Sequence, residues 1–164
     1  MNSTELKALQ APLKERYRAE PAAAAVTLKA EGRLGQGLTC SVSTARALVE
    51  AGLHPATGGS GREACSGDML LEALVACAGV TMNAVATALG YPLRNVIVRA
   101  EGDLDFRGTL GVDKEAPVGF RDIRLRFDIE GDLSEEQRAT LLKLTERYCV
   151  IYQTLRNPPH LRLA

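Results

Sequence analysis

The apolar positions of this chain change their spacing along its length. From Ala24 to about Val49 they alternate with polar ones: Val26, Leu28 and Ala30 with Thr27 and Lys29, then Leu38, Cys40 and Val42 with Thr39, Ser41 and Ser43. Period two is the mark of a strand with one covered face, and Gly35-Gln36-Gly37 between the runs predicts a turn. Residues 45–50 fit either a further strand or a short helix, and residues 54–67 read as a glycine-rich loop. Alternation then gives way to an almost continuous apolar stretch, GDMLLEALVACAGVTMNAVATALGYPL. It predicts a helix starting near Ser66 or Asp68 and stopping at Gly90. Such a helix is apolar on nearly every face and needs protein on all sides, so burial against a second subunit is expected.

Period two returns at Val96, Val98 and Ala100, and again at Ile123, Leu125, Phe127 and Ile129. These positions predict antiparallel strands over residues 96–106 and 121–129, joined by a loop rich in glycine and charge. Ser134-Glu135-Glu136-Gln137 has the form of a capping box. It should launch a helix with Leu141, Leu142, Leu144 and Tyr148 toward the core. Cys149 opens another short helical run, closed by Asn157-Pro158-Pro159, and residues 160–163 read as a closing strand. At the other end, Ser3 is a plausible cap for a helix with Leu6, Leu9 and Leu13 on one stripe, disturbed by Pro12 and ended before Pro21. Strands, helix, strands and helix in this order predict an α+β fold. A single domain over residues 1–164 is expected, with a helical extension (1–20), N-terminal strands (22–50) and a core (66–155).

A chain of 164 residues supports one sizeable core. Twenty basic and twenty acidic residues give a net charge of zero, which argues against a nucleic-acid partner. The first residues, MNSTELKALQAPLKERYRAEP, lack the apolar stretch of a secretory signal. Cytoplasmic residence is therefore expected, where cysteines stay reduced. The one stretch approaching a membrane span, residues 73–89, contains Thr81, Asn83 and Thr87 and lacks basic flanks, so it reads as a buried helix and no membrane partner is expected. Tryptophan is absent and aromatics make up 4% of residues, leaving aliphatic side chains to fill the interior. His54 and His160 stand apart without metal-ligand spacing. Gly58-Gly59-Ser60-Gly61 is neither a P-loop nor a nucleophile elbow and should shape the mouth of a pocket. No cofactor and no metal are expected.

The candidate chemistry lies in two cysteines. Cys77 sits within the apolar helix, and Cys149 opens the run CVIYQTL. Neither has the close spacing of a metal knuckle or a CxxC motif. From about Ser66 to Leu155 the chain resembles the OsmC/Ohr family of organic hydroperoxide reductases. The resemblance rests on LLEALVACAGVT around Cys77, on Gly90-Tyr91-Pro92-Leu93 leading to Val96, and on Cys149 to Leu155.

The resemblance implies an OsmC-like fold, with antiparallel sheets packed around a long central helix in an interlocked homodimer whose two sites lie at the interface. It implies an oxidative-stress enzyme that reduces an organic hydroperoxide to its alcohol. Cys77 would attack the peroxide and become a sulfenic acid, Cys149 would condense with it to a disulfide, and an external dithiol would reset the pair. Leu70, Leu74, Val80 and Met82 are expected to line the substrate site. Relatives place an arginine and a glutamate beside the reactive thiol. Gly67 stands at the glutamate position, leaving Asp68, Glu72 and Glu63 as candidates, though Asp68 and Glu72 are equally explained as acidic residues at a helix start. Arg62 is the first candidate for the arginine, with Arg33 and Arg46 as rivals. Where a proline usually follows the second cysteine there is Val150, a change expected to loosen the helix start. Cys40 and Cys65 have no counterpart in the motif; Cys40 reads as core and Cys65 as a spectator. A protein of the same fold that binds a small apolar ligand without turnover is the alternative, favoured by Gly67 and Val150.

Overall fold

A computed structural model of the chain describes residues 2–5, 7, 8, 11, 19, 31–34, 39–43, 48–111 and 113–163, with the backbone alone for 31–34 and 39–43. At the N-terminus residues 3–5, 7, 8, 11 and 19 are helical. The cap is Asn2 rather than Ser3. The N–H of Glu5 donates to Asn2 Oδ1 at 2.9 Å, and the N–H of Asn2 donates to Glu5 Oε2 at 2.9 Å. This reciprocal arrangement needs a Glu or Gln three residues after the cap, and Glu5 has that spacing from Asn2. Ser3 instead donates its hydroxyl to the carbonyl of Ala88 at 3.4 Å. Leu6, Leu9, Leu13, Pro12 and the expected strand at Val26 to Ala30 lie outside the described residues.

Strands β1 (Glu31–Leu34), β2 (Thr39–Ser43) and β3 (Leu48–Gly52) form an antiparallel meander, and the two-residue β4 (Ala64–Cys65) adds to β3 in parallel. Of the stretch at 45–50, residues 48–50 are strand; residues 45–47 lie outside the described residues. Between β3 and β4 the expected loop contains one turn of 3-10 helix, Pro55–Thr57. The helix α1 follows at Ser66–Leu89. Its end is a Schellman motif: Gly90 has φ +70°, its N–H reaches Thr87 O at 3.2 Å, and Tyr91 N–H reaches Ala86 O at 2.9 Å. The left-handed φ is why glycine stands there.

Strands β5 (Asn95–Asp103) and β6 (Asp122–Glu130) pair in a separate sheet. They run in opposite directions, since Arg94 N–H bonds Glu130 O and Arg121 N–H bonds Asp103 O. Burial alternates along β5, with Val96, Val98 and Ala100 inward, as the period predicts. Phe106, expected to end that strand, instead opens the short helix α2 (Phe106–Thr109). Asp105 causes the change by accepting from the Arg107 N–H, a capping bond that favours helix over strand.

Helix α3 (Glu135–Tyr148) carries the capping box between Ser134 and Gln137 in both directions. It buries Leu141 and Thr145, with Leu142 and Leu144 partly covered. Tyr148 is 56% exposed, so it is not a core residue as expected. Helix α4 (Val150–Arg156) follows with Cys149 as its cap. Residues 160–163 form no strand and are exposed.

By compactness the chain divides into a first unit of residues 1–27, 74–99 and 126–164 and a second unit of residues 28–73 and 100–125. The core of the first unit is Met82, Ala86 and Leu141, packed against Val85, Tyr91, Leu93, Val96, Phe127, Ile129, Leu133 and Leu142. In the second unit the Phe120 ring lies where a side chain at Gly102 would stand, 2.5 Å from an added Cβ, so this strand position requires glycine. Helix α1 buries only one stripe, Leu74, Ala78, Met82 and Ala86, at i, i+4, i+8 and i+12. Ala73, Ala76, Val80, Asn83 and Ala84 are exposed within the single chain, so cover on that side has to come from outside it. By length and composition α1 is the one helix among the described residues that could cross a membrane.

Candidate active site: a thiol pair at a helix junction

Two helices of the first unit bring Cys77 and Cys149 together. Cys77 lies beside the buried stripe of α1 and is half-buried. Leu141 and Thr145 of α3 and its cap Cys149 succeed one another at i, i+4 and i+8, and Cys149 is 1% exposed. The chain turns at Cys149, whose extended backbone (φ −72°, ψ 107°) separates α3 from α4. Hydrogen bonding is nevertheless continuous through it: Cys149 N–H bonds Thr145 O at 3.0 Å, and Gln153 N–H bonds Cys149 O at 2.9 Å. The first N–H groups of α4 have no partner within their own helix and are free to serve the sulfurs.

The two thiols shift in opposite directions. Burial alone would push Cys77 up. It is outweighed by the Ile151 N–H, the Cys149 thiol, the Val150 N–H and the Thr81 hydroxyl, which together hold Cys77 below the ordinary thiol value. Burial likewise pushes Cys149 up, and the neighbouring Cys77 adds to the rise despite the N–H groups of Tyr152 and Ile151. Two ionisable groups this close do not both carry charge easily. The pair therefore resolves into one thiolate-prone sulfur, Cys77, and one that keeps its proton and donates it as a hydrogen bond. Both are free thiols here.

Thr81, one helical turn after Cys77, and the backbone donors of α4 did not emerge from sequence reasoning. Thr81 had a signal in its i+4 spacing from Cys77; the N–H groups had none, because side-chain identity does not report them. Val150 was expected to loosen the helix start. The closed first turn of α4 shows no loosening, and Val150 supplies an N–H that proline lacks. Thr145 Oγ1 is buried without a hydrogen-bond partner, an arrangement that costs about 1–3 kcal/mol. On the outside, a groove of about 440 Å³ runs past Tyr148, Cys149, Val150, Gln153 and Asn157.

The remaining candidates have different settings. Asp68 and Glu72 are exposed in the first turns of α1, and Arg62 is exposed in the loop before it; all three belong to the second unit. The Arg62 N–H bonds the Ser60 hydroxyl at 3.0 Å. Ser60 also donates to the Glu63 carboxylate, and that bond, with the Glu63 N–H and, less, the Arg62 charge, holds Glu63 below the usual carboxylate range against an opposing desolvation. Arg46 and the side chains of Arg33 and Cys40 lie outside the described residues. Of the expected substrate lining, Leu74 and Met82 are fully buried while Val80 is 72% and Leu70 36% exposed. These four do not share one surface, because α1 turns their side chains to different faces. Among the described residues no group of three or more His, Cys, Asp or Glu is placed to hold a metal ion.

The model of the family described as OsmC-like protein matches residues 59–164, a span that holds both cysteines and every helix from α1 onward. The chain belongs to the OsmC-like protein family. Its fold is shared with an OsmC-like protein from Mycoplasma pneumoniae (18% identity, 81% of this chain and 89% of that one, TM-score 0.68). It is shared also with an organic hydroperoxide resistance protein from Elizabethkingia anophelis (16% identity, 82% and 91% coverage, TM-score 0.66). A third similar structure is the organic hydroperoxide resistance protein OsmC from Legionella pneumophila (18% identity, 82% and 92% coverage, TM-score 0.64). At these identities the likeness establishes the α+β fold. No curated protein sequence matches the chain.

Proposed function

We propose that this OsmC-like protein is a cytoplasmic thiol peroxidase that reduces organic hydroperoxides. The observation carrying the proposal is the adjacent, oppositely shifted pair Cys77 and Cys149. The Cys77 thiolate attacks one peroxide oxygen, the O–O bond breaks, and the departing alkoxide takes a proton to leave as the alcohol. Cys77 is then a sulfenic acid. Its sulfur no longer carries the charge that opposed ionisation of Cys149, so the second thiol deprotonates more readily and attacks it. A disulfide forms, and the sulfenic oxygen leaves as water. An external dithiol exchanges with the disulfide, restoring both thiols and becoming oxidised itself; the groove beside Cys149 gives it an approach. Arg62, Asp68 and Glu72 are proposed to support the thiolate, and the chain to act as a homodimer.

Loss of the nucleophile and loss of the resolving thiol have different expected results. Cys77→Ser abolishes consumption of cumene hydroperoxide, because an alcohol is too weakly ionised to attack the O–O bond. Cys149→Ser supports a single turnover and leaves a sulfenic acid on Cys77 that dimedone traps. Equal consumption by wild type and Cys77→Ser would end the peroxidase reading and favour the alternative, a binding protein for a small apolar ligand.

A further inference from the structure

Thr145 Oγ1 is the one buried side-chain oxygen or nitrogen among the described residues that has no hydrogen-bond partner. Threonine inside a helix ordinarily gives its hydroxyl to a carbonyl three or four residues earlier. No such bond to Leu141 or Leu142 forms here, although α3 is regular through this turn. The residue is 1% exposed, so bulk solvent does not reach the group. Valine would fill the same volume with no polar atom to desolvate. The hydroxyl is thus an unmet donor in the reduced fold, and what lies beside it decides what it can serve.

The next side chain on that stripe is Cys149. Its N–H bonds Thr145 O at 3.0 Å and its φ of −72° is helical. Only its ψ departs, and ψ acts beyond the Cα. The Cα–Cβ bond of Cys149 therefore keeps the direction of a continued helix, in which residues four apart have Cβ atoms about 5–6 Å from one another. Rotation of the two side chains about χ1 spans that gap, and both are 1% exposed, so they meet inside protein. In the reduced pair Cys149 holds its proton and directs it to Cys77. A neutral thiol sulfur is a weak acceptor, which accounts for the unpaired hydroxyl. Once Cys77 is a sulfenic acid, Cys149 has to ionise against its burial. A thiolate is a far better acceptor, because a hydrogen bond to a charged atom is about twice as strong as one between neutral groups.

We propose that the Thr145 hydroxyl is held in reserve for the resolving step, donating to Cys149 Sγ as that sulfur ionises to attack Cys77. Its part in turnover rests on the peroxidase reading; the bond to the thiolate does not. In that step the S–S bond forms, the S–O bond of the sulfenic acid breaks, and the Cys149 proton leaves with the oxygen as water. Thr145 keeps its own proton throughout. Two variants of the full chain test this: Thr145→Val, which keeps the shape and removes the donor, and Thr145→Ser, which keeps the donor. In a Cys77→Ser background, the Cβ resonance of Cys149 followed by NMR should titrate at higher pH with valine at 145 than with threonine, and serine should restore it. With both cysteines present and one equivalent of cumene hydroperoxide added, the Cys77 sulfenic acid is counted as its dimedone adduct. It should outlast that of wild type by about tenfold in Thr145→Val, the scale of one hydrogen bond to a charged group, and serine should again restore it. A Cys149 titration unmoved by Thr145→Val overturns the proposal, as does a sulfenic acid that resolves at the wild-type rate. A shifted titration in a protein whose wild type forms no sulfenic acid would support the bond and contradict the peroxidase reading alone. If Thr145→Val does not fold, Thr145→Ala carries the same two readings.

Discussion

Thr81 shows how one hydroxyl contributes to a thiolate. Its hydroxyl is among the donors that outweigh the burial of Cys77, and its removal leaves burial less opposed. Thr81→Val is therefore expected to raise the pH midpoint for alkylation of Cys77 by iodoacetamide. The sign follows from the chemistry. The thiolate is the reacting form, so a thiol held below its ordinary value reacts at lower pH, and loss of a donor moves the curve upward. An unchanged midpoint would remove Thr81 from the site. Cys149 is held above its ordinary value, so in wild type its alkylation should lag behind that of Cys77 at neutral pH.

Between elements, the junction of α3 and α4 does more than space two helices. It places Cys149 as a cap and turns the first N–H groups of α4 toward the sulfurs. Proline is well accommodated at the first position of a helix, so Val150→Pro should preserve α4 while deleting one donor to Cys77. The expected result is a higher Cys77 midpoint, with little change in melting temperature. A fall in melting temperature without a shift in midpoint would contradict the role given to the Val150 N–H.

The same junction marks what was legible beforehand. Helix α1 with its stop at Gly90, strands β5 and β6, the capping box at Ser134 and the short helix opened by Cys149 all follow local rules of period and cap, and the sequence displays those rules. Asn2 as the cap, Phe106 in a helix and Tyr148 in solvent depended on which of two competing local bonds or faces prevailed, which residue type alone does not determine. Residues 160–163 alternate like a strand, but a strand also needs a partner edge, and periodicity does not supply one. The resemblance through Cys77 and Cys149 identified the thiol pair. The backbone donors that bias it arise only when α1 meets the start of α4.

At the scale of the whole molecule, the exposed side of α1 is the unfinished feature. Val80 is 72% exposed amid Ala73, Ala76 and Ala84, an apolar strip on a helix whose opposite stripe is fully buried. Uncovered apolar surface favours association, and small residues let a second backbone approach closely. The chain is expected to be a dimer by light scattering at micromolar concentration. Val80→Glu should shift it toward monomer by placing a charge in the interface, while the core stripe of Leu74, Ala78, Met82 and Ala86 remains intact. A monomeric wild type would contradict the dimer expected from this exposed face.

The central claim is that Cys77 and Cys149 act as a redox couple, and one experiment reads it directly. The reduced protein is treated with one equivalent of cumene hydroperoxide, alkylated, digested without reductant and mapped by mass spectrometry. A Cys77–Cys149 disulfide formed in step with loss of peroxide is the predicted result. A Cys40–Cys65 disulfide, or consumption of peroxide with no link between Cys77 and Cys149, would contradict it.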